Sequence, residues 1–230
     1  MPSGLPENEV VAWGTAIYES AKPAAWRSHV ALAAELGRTV PKENLWLLKP
    51  MQERMTYPFC VFWHVKAMLD RETAEGRRAD WFFWLEDDII APPDTYSILR
   101  AAADKDERPY VSGLVYARVP PHGPGVAEVT YGSGVRYVTQ WVDAPQSGTH
   151  LAGMAGMGAC VIHRSLFDKI PEPWFSIEPP QTTWSGAGPD SAWSYRLAQI
   201  GVPVNVCCDV RLGHVGDGIV VDRSVSEAWL

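Results

Sequence analysis

An unbroken run of large apolar residues leads directly into three consecutive carboxylates at residues 81–88, which read WFFWLEDD. An apolar run without polar alternation is typical of a strand that is buried on both faces, as in a parallel sheet. Ligands of such sheets bind at the carboxyl ends of the strands, where the three acids fall. Because adjacent carboxylates repel one another and hard oxygen ligands suit Mg²⁺ or Mn²⁺, we predict a metal site that binds phosphate groups. An acidic turn that faces water is the alternative interpretation.

The length and charge of the chain limit the classes of protein to consider. Its 230 residues are enough for one α/β domain with a full core. We expect a single domain over residues 1–230, with a nucleotide-binding half over about 1–118 and an acceptor-binding half over about 119–230. The net charge of −7 disfavours nonspecific binding to nucleic acid or to an anionic membrane.

The cysteines and the apolar segments bear on the cellular compartment. The four cysteines show no zinc-binding spacing, and three of them lie in apolar contexts typical of buried thiols in a reducing compartment. No apolar stretch is long enough to span a bilayer, and the N-terminus lacks a basic head and an apolar leader segment. We therefore expect a cytoplasmic protein without stable membrane insertion.

The first half of the sequence alternates between strand and helix patterns. The predicted strands are residues 9–18, 45–48, 81–88 and 110–117, and the predicted helices are residues 23–36, 58–71 and 94–103. Pro23 is expected to begin the first helix and Gly37 to end it. Strands separated by helices of this length predict right-handed crossovers and a mostly parallel sheet.

The second half has a different pattern. Residues 129–142 alternate as in an antiparallel hairpin or meander, and residues 153–162 read as one apolar strand rich in small residues. After these come a short helix at 164–170, a helix at 190–200, a strand at 202–210 and a turn at 212–216.

Four segments in this order resemble motifs of GT-A fold glycosyltransferases, and within that fold those of the family 2 glycosyltransferases. They are residues 15–19, 86–88, 156–167 and 189–196, and His214 follows them. The resemblance implies a Rossmann-like three-layer α/β/α fold with a mostly parallel central sheet and a small antiparallel C-terminal part. It also implies an enzyme that moves a sugar from a nucleoside-diphosphate sugar to an acceptor hydroxyl.

The nucleotide sugar has candidate binding residues after the first strand. Thr15, Tyr18 and Glu19 are similar to the stretch that holds the base and ribose in the family, which implies a donor of the UDP or GDP type. Arg54 and Arg164 are candidates for contacts with phosphate oxygens because a guanidinium group matches their geometry. A surface ion pair is the alternative for each arginine.

The segment Glu86-Asp87-Asp88 resembles the DXD motif of the family. The motif here begins with Glu, so which acid meets the metal and which meets the ribose stays open. We assign Asp88 to the metal, Mn²⁺ or Mg²⁺, and Glu86 and Asp87 to the nucleotide sugar, with Glu86 or Asp87 as a second metal ligand in the alternative assignment. His214 falls where many GT-A enzymes place a late metal-binding histidine, which implies that it completes the ligand set; a structural histidine beside a turn is the alternative.

The catalytic base and the acceptor site are implied by the last two motifs. Asp190 follows Pro189 where the family has an acidic pair at a helix start, which implies that Asp190 is the general base of an inverting transfer. A helix-capping role is the alternative for Asp190. Gly158 belongs to the Gly-rich strand near the acceptor, and Trp184 lies in a polar, flexible segment where an indole is a candidate platform for the acceptor.

Two other functions stay open. A nucleotidyltransferase also combines a nucleotide-binding α/β half with metal-binding acids, but it usually carries a Gly-rich basic loop after the first strand, and residues 15–22 contain no Gly. A catalytically inactive protein that binds nucleotide sugars is the second alternative, because Pro189 replaces the usual Glu. The sequence does not identify the acceptor, and nucleic acid is disfavoured by charge but not excluded.

Overall fold

The computed structural model describes most of the chain. The described residues are 6, 8–15, 22–48, 57–117, 122–132, 135–175, 188–216 and 220–221. The strands are β1 (Val11–Thr15), β2 (Leu45–Leu47), β3 (Trp81–Leu85), β4 (Ile89–Ile90), β5 (Tyr110–Val115), β6 (Val126–Gly132), β7 (Val135–Gln140), β8 (Thr149–Ala152), β9 (Met154–Ala155), β10 (Ala159–His163), β11 (Val204–Val215) and β12 (Val220–Val221). The helices are α1 (Pro23–Thr39), α2 (Tyr57–Glu75), α3 (Thr95–Ala102), α4 (Leu166–Lys169) and α5 (Pro189–Gln199).

The central sheet is built mainly from parallel strands. Its main path is β12-β11-β5-β10-β3-β1-β2, and β4 and β8 also pair with β11. β1 is parallel to β2 and β3, and β11 is parallel to β5, whereas β10 is antiparallel to both of its neighbours. A separate antiparallel sheet has the order β7-β6-β9. The α/β class, the mostly parallel sheet and the small antiparallel part agree with the sequence prediction.

The apolar run of β3 is buried on both faces of this sheet, as predicted. Successive side chains of a strand point to opposite faces. Trp81, Phe83 and Leu85 therefore join one hydrophobic core, and Phe82 and Trp84 join another. Residues of α1 and α3 complete the first core, and residues of α2 and α5 complete the second. The molecule thus has three layers, with helices on both sides of the sheet.

The first helix does not end at Gly37, contrary to prediction. It continues to Thr39 and stops where Val40, extended at φ −109°, precedes Pro41. A glycine inside a helix costs only about 1 kcal/mol relative to alanine, which the burial of Leu32 and Leu36 outweighs. Proline then disfavours helical backbone at the residue before it.

Two predictions in the second half of the chain were also wrong. Residues 153–162 are not one strand: β9 pairs with β6 in the small sheet, and β10 pairs with β3 and β5 in the central sheet. Residues 212–216 are not a turn, because β11 continues to Val215 and pairs with β4. His214 is therefore held in a strand.

No helix in the described part of the chain combines the length and apolar character needed to cross a membrane.

The close approach of β6 to Gly153 predicts a strong effect of a small substitution. A Cβ atom at Gly153 would lie 2.4 Å from the Val129 backbone nitrogen, which cannot move aside as a side chain can. We expect Gly153→Ala to lower the free energy of unfolding by about 1–3 kcal/mol. Gly37→Ala is the matched control, because a Cβ there meets nothing within 4 Å and should stabilise α1 by roughly 0.5–1 kcal/mol. Urea unfolding of both variants measures the difference; equal effects would contradict this close packing.

Candidate active site

The three carboxylates form a turn between β3 and β4. The Glu86 N–H donates to the Gly158 carbonyl at 2.9 Å, and the Ile89 N–H returns to the Glu86 carbonyl at 3.3 Å. The Val215 N–H donates to the Asp88 carbonyl at 2.8 Å, and His214 pairs with Ile89. The turn is thereby fixed to β10 on one side and to the end of β11 on the other. This pairing brings His214 beside the acids.

Glu86, Asp88 and His214 form a cluster of potential metal ligands. One ligand atom from each lies within 4.8 Å of the other two, and all three side chains are half-buried. The His214 Nε2 atom lies 3.3 Å from Asp88 Oδ2. The structure thus brings Asp88 and His214 together, and of the two other acids it places Glu86 in the same group. Asp87 lies in the same turn but is not part of this three-residue group.

The tautomer of His214 is set by its other ring nitrogen. Nδ1 lies 2.9 Å from the Tyr116 carbonyl, which can only accept a hydrogen bond, so Nδ1 carries the proton. In the neutral ring, Nε2 then directs a lone pair toward two carboxylates. Lone pair and carboxylates repel one another unless a cation, either a proton or a metal ion, lies between them. A carbonyl that fixes the tautomer in this way is typical of metal-binding histidines.

The pKa of His214 reflects the same need for positive charge. Burial acts to lower this pKa, but the hydrogen bond and the charge of Asp88, assisted by Tyr116 and Glu86, raise it above its usual value. A metal ion at this site would compete with that proton, so metal affinity should rise with pH as His214 loses its proton.

Asp190 lies in the first turn of α5, but it is not the N-cap. Gly188 occupies the N-cap position without a side-chain hydrogen bond, and Asp190 Oδ1 accepts the Ser191 N–H at 2.9 Å. Burial raises the pKa of Asp190, and hydrogen bonds from backbone N–H groups only partly oppose this. A carboxylate with a raised pKa holds a proton more strongly than an exposed one, a property suited to a general base.

Gly158 and Thr15 flank the acidic turn. Besides accepting the Glu86 N–H, Gly158 leaves room for Ile89, whose Cδ1 would lie 3.0 Å from a Cβ at this position. Thr15 pairs with Leu85, the residue before Glu86, and its buried hydroxyl has no hydrogen-bond partner among the residues that the structure describes. Thr15 therefore lies at the same sheet edge as the acids.

Of the remaining predicted residues, only Arg164 lies in the described part of the chain, and its partners are other than the acidic turn. Arg164 donates to Glu72 at 2.9 Å and to Asp168 at 2.8 Å, so the ion-pair interpretation is correct for this arginine. The other candidates, Tyr18, Glu19, Arg54 and Trp184, lie outside the described residues.

The sequence alone did not show that Glu86 lies beside His214, or that Tyr116 supports this cluster of potential metal ligands. The DXD resemblance left the role of Glu86 open, and only the turn geometry places its carboxylate near His214. Tyr116 fixes the tautomer of His214 through its backbone carbonyl, and the identity of a side chain does not indicate a backbone contact.

Comparisons with known proteins bear on the fold. No protein-family model and no curated protein matches the sequence. Among solved structures, A197 from STIV superposes with a TM-score of 0.61 at 13% identity, over 94% of this chain and 91% of that one. GalNAc-T7, solved with UDP, GalNAc and Mn²⁺, superposes with a TM-score of 0.60 at 12% identity. That match covers 91% of this chain, which spans 44% of GalNAc-T7. The chain therefore has a GT-A-like α/β fold.

Proposed function

We propose that this chain is a metal-dependent glycosyltransferase that moves a sugar from a nucleoside-diphosphate sugar to an acceptor hydroxyl. One observation carries the proposal: in a GT-A-like fold, Glu86, Asp88 and His214 converge at the carboxyl end of a central strand. Ligands of mostly parallel sheets bind at this edge. GalNAc-T7, which shares the fold, was solved with a nucleotide, a sugar and Mn²⁺.

The three side chains fit a divalent cation. Two carboxylates and a neutral imidazole offer oxygen and nitrogen ligands that suit Mn²⁺, and Mg²⁺ accepts the oxygens. The unprotonated Nε2 of His214 is available because Nδ1 donates to Tyr116. When bound, the cation would neutralise charge on the departing diphosphate. The protein's part is to hold these groups, with Thr15, Tyr18, Glu19, Arg54 and Asp87 as proposed contacts of the nucleotide sugar.

Asp190 is the proposed general base. The acceptor oxygen would form a bond to the anomeric carbon while the bond from that carbon to the diphosphate breaks, and Asp190 would take the hydroxyl proton. Displacement from the opposite side inverts the anomeric configuration. Gly158 and Trp184 are the proposed acceptor contacts. The raised pKa of Asp190 supports this role, since a stronger base removes the proton more readily.

We also propose that the chain acts as one domain, divided near residue 118 into a nucleotide-binding and an acceptor-binding half. Cys60, Cys160, Cys207 and Cys208 are all free and buried, which favours a reducing compartment such as the cytoplasm.

The proposal is tested by release of nucleoside diphosphate. The purified chain is incubated with UDP-sugars and GDP-sugars and a panel of acceptors, with Mn²⁺ or with a chelator. We expect metal-dependent release that is stimulated by one class of acceptor. Turnover that is unchanged by the chelator would contradict the proposed metal dependence. Transfer of a nucleoside monophosphate group to the product would support a nucleotidyltransferase instead.

Loss of the histidine ligand should weaken metal binding without abolishing it. We expect His214→Ala to lower Mn²⁺ affinity by about tenfold or more, since even partners of metal ligands contribute at this level. His150→Ala is the control, because His150 pairs with Val206 toward the other end of β11. Calorimetric titration with Mn²⁺ measures both variants. If the His214→Ala curve coincides with that of the wild type, the histidine is structural.

A further inference from the structure

We propose that His29 of α1 is a positioning residue that holds the acidic turn in the arrangement needed to bind a metal ion. This inference rests on the function proposed above and adds a residue to its site. The need for such a residue follows from electrostatics: Glu86, Asp88 and His214 Nε2 repel one another before a cation arrives. Contacts to the backbone of the turn can offset that repulsion without using the ligand atoms.

One edge of β4 is paired with β11, and no strand among the residues 6–221 that the structure describes pairs with the other edge. The Val215 N–H donates to the Asp88 carbonyl, and β4 and β11 are antiparallel. Hydrogen-bonded and non-hydrogen-bonded pairs alternate in such a ladder, so the N–H and C=O of Ile89 point away from β11. The Ile89 N–H donates a hydrogen bond to the Glu86 carbonyl at 3.3 Å. The Ile89 carbonyl needs a donor from elsewhere, because an unpaired buried carbonyl is costly.

His29 supplies this donor. Its Nε2 atom lies 3.0 Å from the Ile89 carbonyl oxygen, and the side chain is buried, with 7% of its surface exposed. Ile89 is the last residue of the turn and its N–H donates to the carbonyl of Glu86, the first residue, so the imidazole contacts the backbone where the turn closes.

Ser28 extends the contact by two residues. The Ala91 N–H donates to Ser28 Oγ at 3.2 Å, while the Ser28 hydroxyl lies 2.8 Å from the Ala25 carbonyl and, at 3.5 Å, at the limit of a second contact with the Ile89 carbonyl. Two adjacent side chains of α1 therefore make hydrogen bonds to the backbone of residues 89–91 along the edge of β4 that faces away from β11. The acidic turn is held by β11 on one edge and by α1 on the other.

A pair of amide substitutions tests this role. Gln places an amide nitrogen close to the position of the histidine Nε2 and can still donate to Ile89, whereas Asn is one methylene too short. We expect His29→Asn to weaken Mn²⁺ affinity by about 10–100-fold, the usual effect of losing a partner that orients metal ligands. His29→Gln should stay within about threefold of the wild type. Ser28→Ala should show a smaller loss in the same direction.

A second measurement does not depend on the metal. In the metal-free protein, amide hydrogen exchange of residues 86–91 should be faster in His29→Asn than in the wild type, and close to the wild type in His29→Gln. His163→Asn is the control, because His163 pairs with Trp81 at the opposite end of β3 and should change neither readout.

The outcomes separate the inference from the proposed function. Mn²⁺ binding by the wild type with equal affinity in the Asn and Gln variants would overturn the role of His29 and leave the proposed function standing. No Mn²⁺ binding by the wild type would overturn the proposed metal dependence. Unchanged exchange at residues 86–91 in the folded Asn variant would overturn the positioning role in either case.

Discussion

Asp190→Asn should lower turnover by ~10²–10⁴-fold while nucleotide-sugar binding persists, because general-base catalysis contributes about this factor. Asn keeps the size of the side chain and an oxygen that can accept the Ser191 N–H, so the start of α5 should be preserved. Single-turnover kinetics with a saturating donor, together with calorimetric affinity for the nucleotide, separates the two effects.

The pH profile gives an independent check of the same residue. Burial raises the pKa of Asp190, so the ionised base should accumulate only above the pH range of an ordinary aspartate. Wild-type turnover should therefore rise with pH through that raised pKa, and the rise should be absent in Asp190→Asn. Asp94→Asn is a suitable control, since Asp94 also begins a helix and makes no side-chain capping bond. Near-normal turnover in Asp190→Asn, or a product with the anomeric configuration of the donor, would place the base elsewhere.

Asp88→Ala should abolish metal-dependent nucleotide binding. Removing a unit charge about 4 Å from a cation costs about 4 kcal/mol for each unit of the cation's charge at an effective dielectric constant of about 20, so a divalent ion should lose at least roughly 10³-fold in affinity. The fold should survive, because the contact of Asp88 with β11 is made by its backbone carbonyl. Without metal, at a pH above the pKa of His214, the melting temperature should be unchanged or higher, since a carboxylate that repels Glu86 has been removed. Below that pKa, loss of the Asp88–His214 ion pair should lower the melting temperature.

Titration of UDP or GDP at a fixed Mn²⁺ concentration measures the effect of Asp88→Ala. Asp106→Ala, in an exposed turn, is the control for loss of a surface carboxylate. An Asp88→Ala variant that binds the nucleotide with wild-type affinity and retains the response to Mn²⁺ would remove Asp88 from the metal site.

The sequence predicted the core of the fold because its signals there are local. The apolar run of β3 requires burial on both faces, and the alternation of strands and helices in the first half leads to a mostly parallel sheet. The two errors in the second half of the chain arose where long-range pairing decides the structure. β9 and β10 form one apolar stretch in sequence, but they pair with different sheets. The strand at His214 depends on β4, which has only two residues and gives no pattern of its own.

Only part of the candidate site could be predicted, because some of its contacts depend on long-range packing. Asp88 and His214 were expected to meet because both segments resemble family motifs, and the structure brings them to 3.3 Å. The position of Glu86 beside His214 and the contact of His29 with Ile89 depend on how a turn and a helix pack. A buried histidine on a helix looks in sequence like any core histidine. Tyr116 and Gly158 act through backbone carbonyls, which every residue type has, so the sequence could not indicate their contributions.

Calorimetric titration of the wild-type chain with UDP, GDP and CTP, each with and without Mn²⁺, tests the central claim most directly. The account predicts that UDP or GDP binds more tightly than CTP and that binding requires the metal. The same preference should be lost in Asp88→Ala. Tighter binding of CTP than of either diphosphate, or equal affinities with and without Mn²⁺, would contradict a metal-dependent transferase that uses nucleoside-diphosphate sugars.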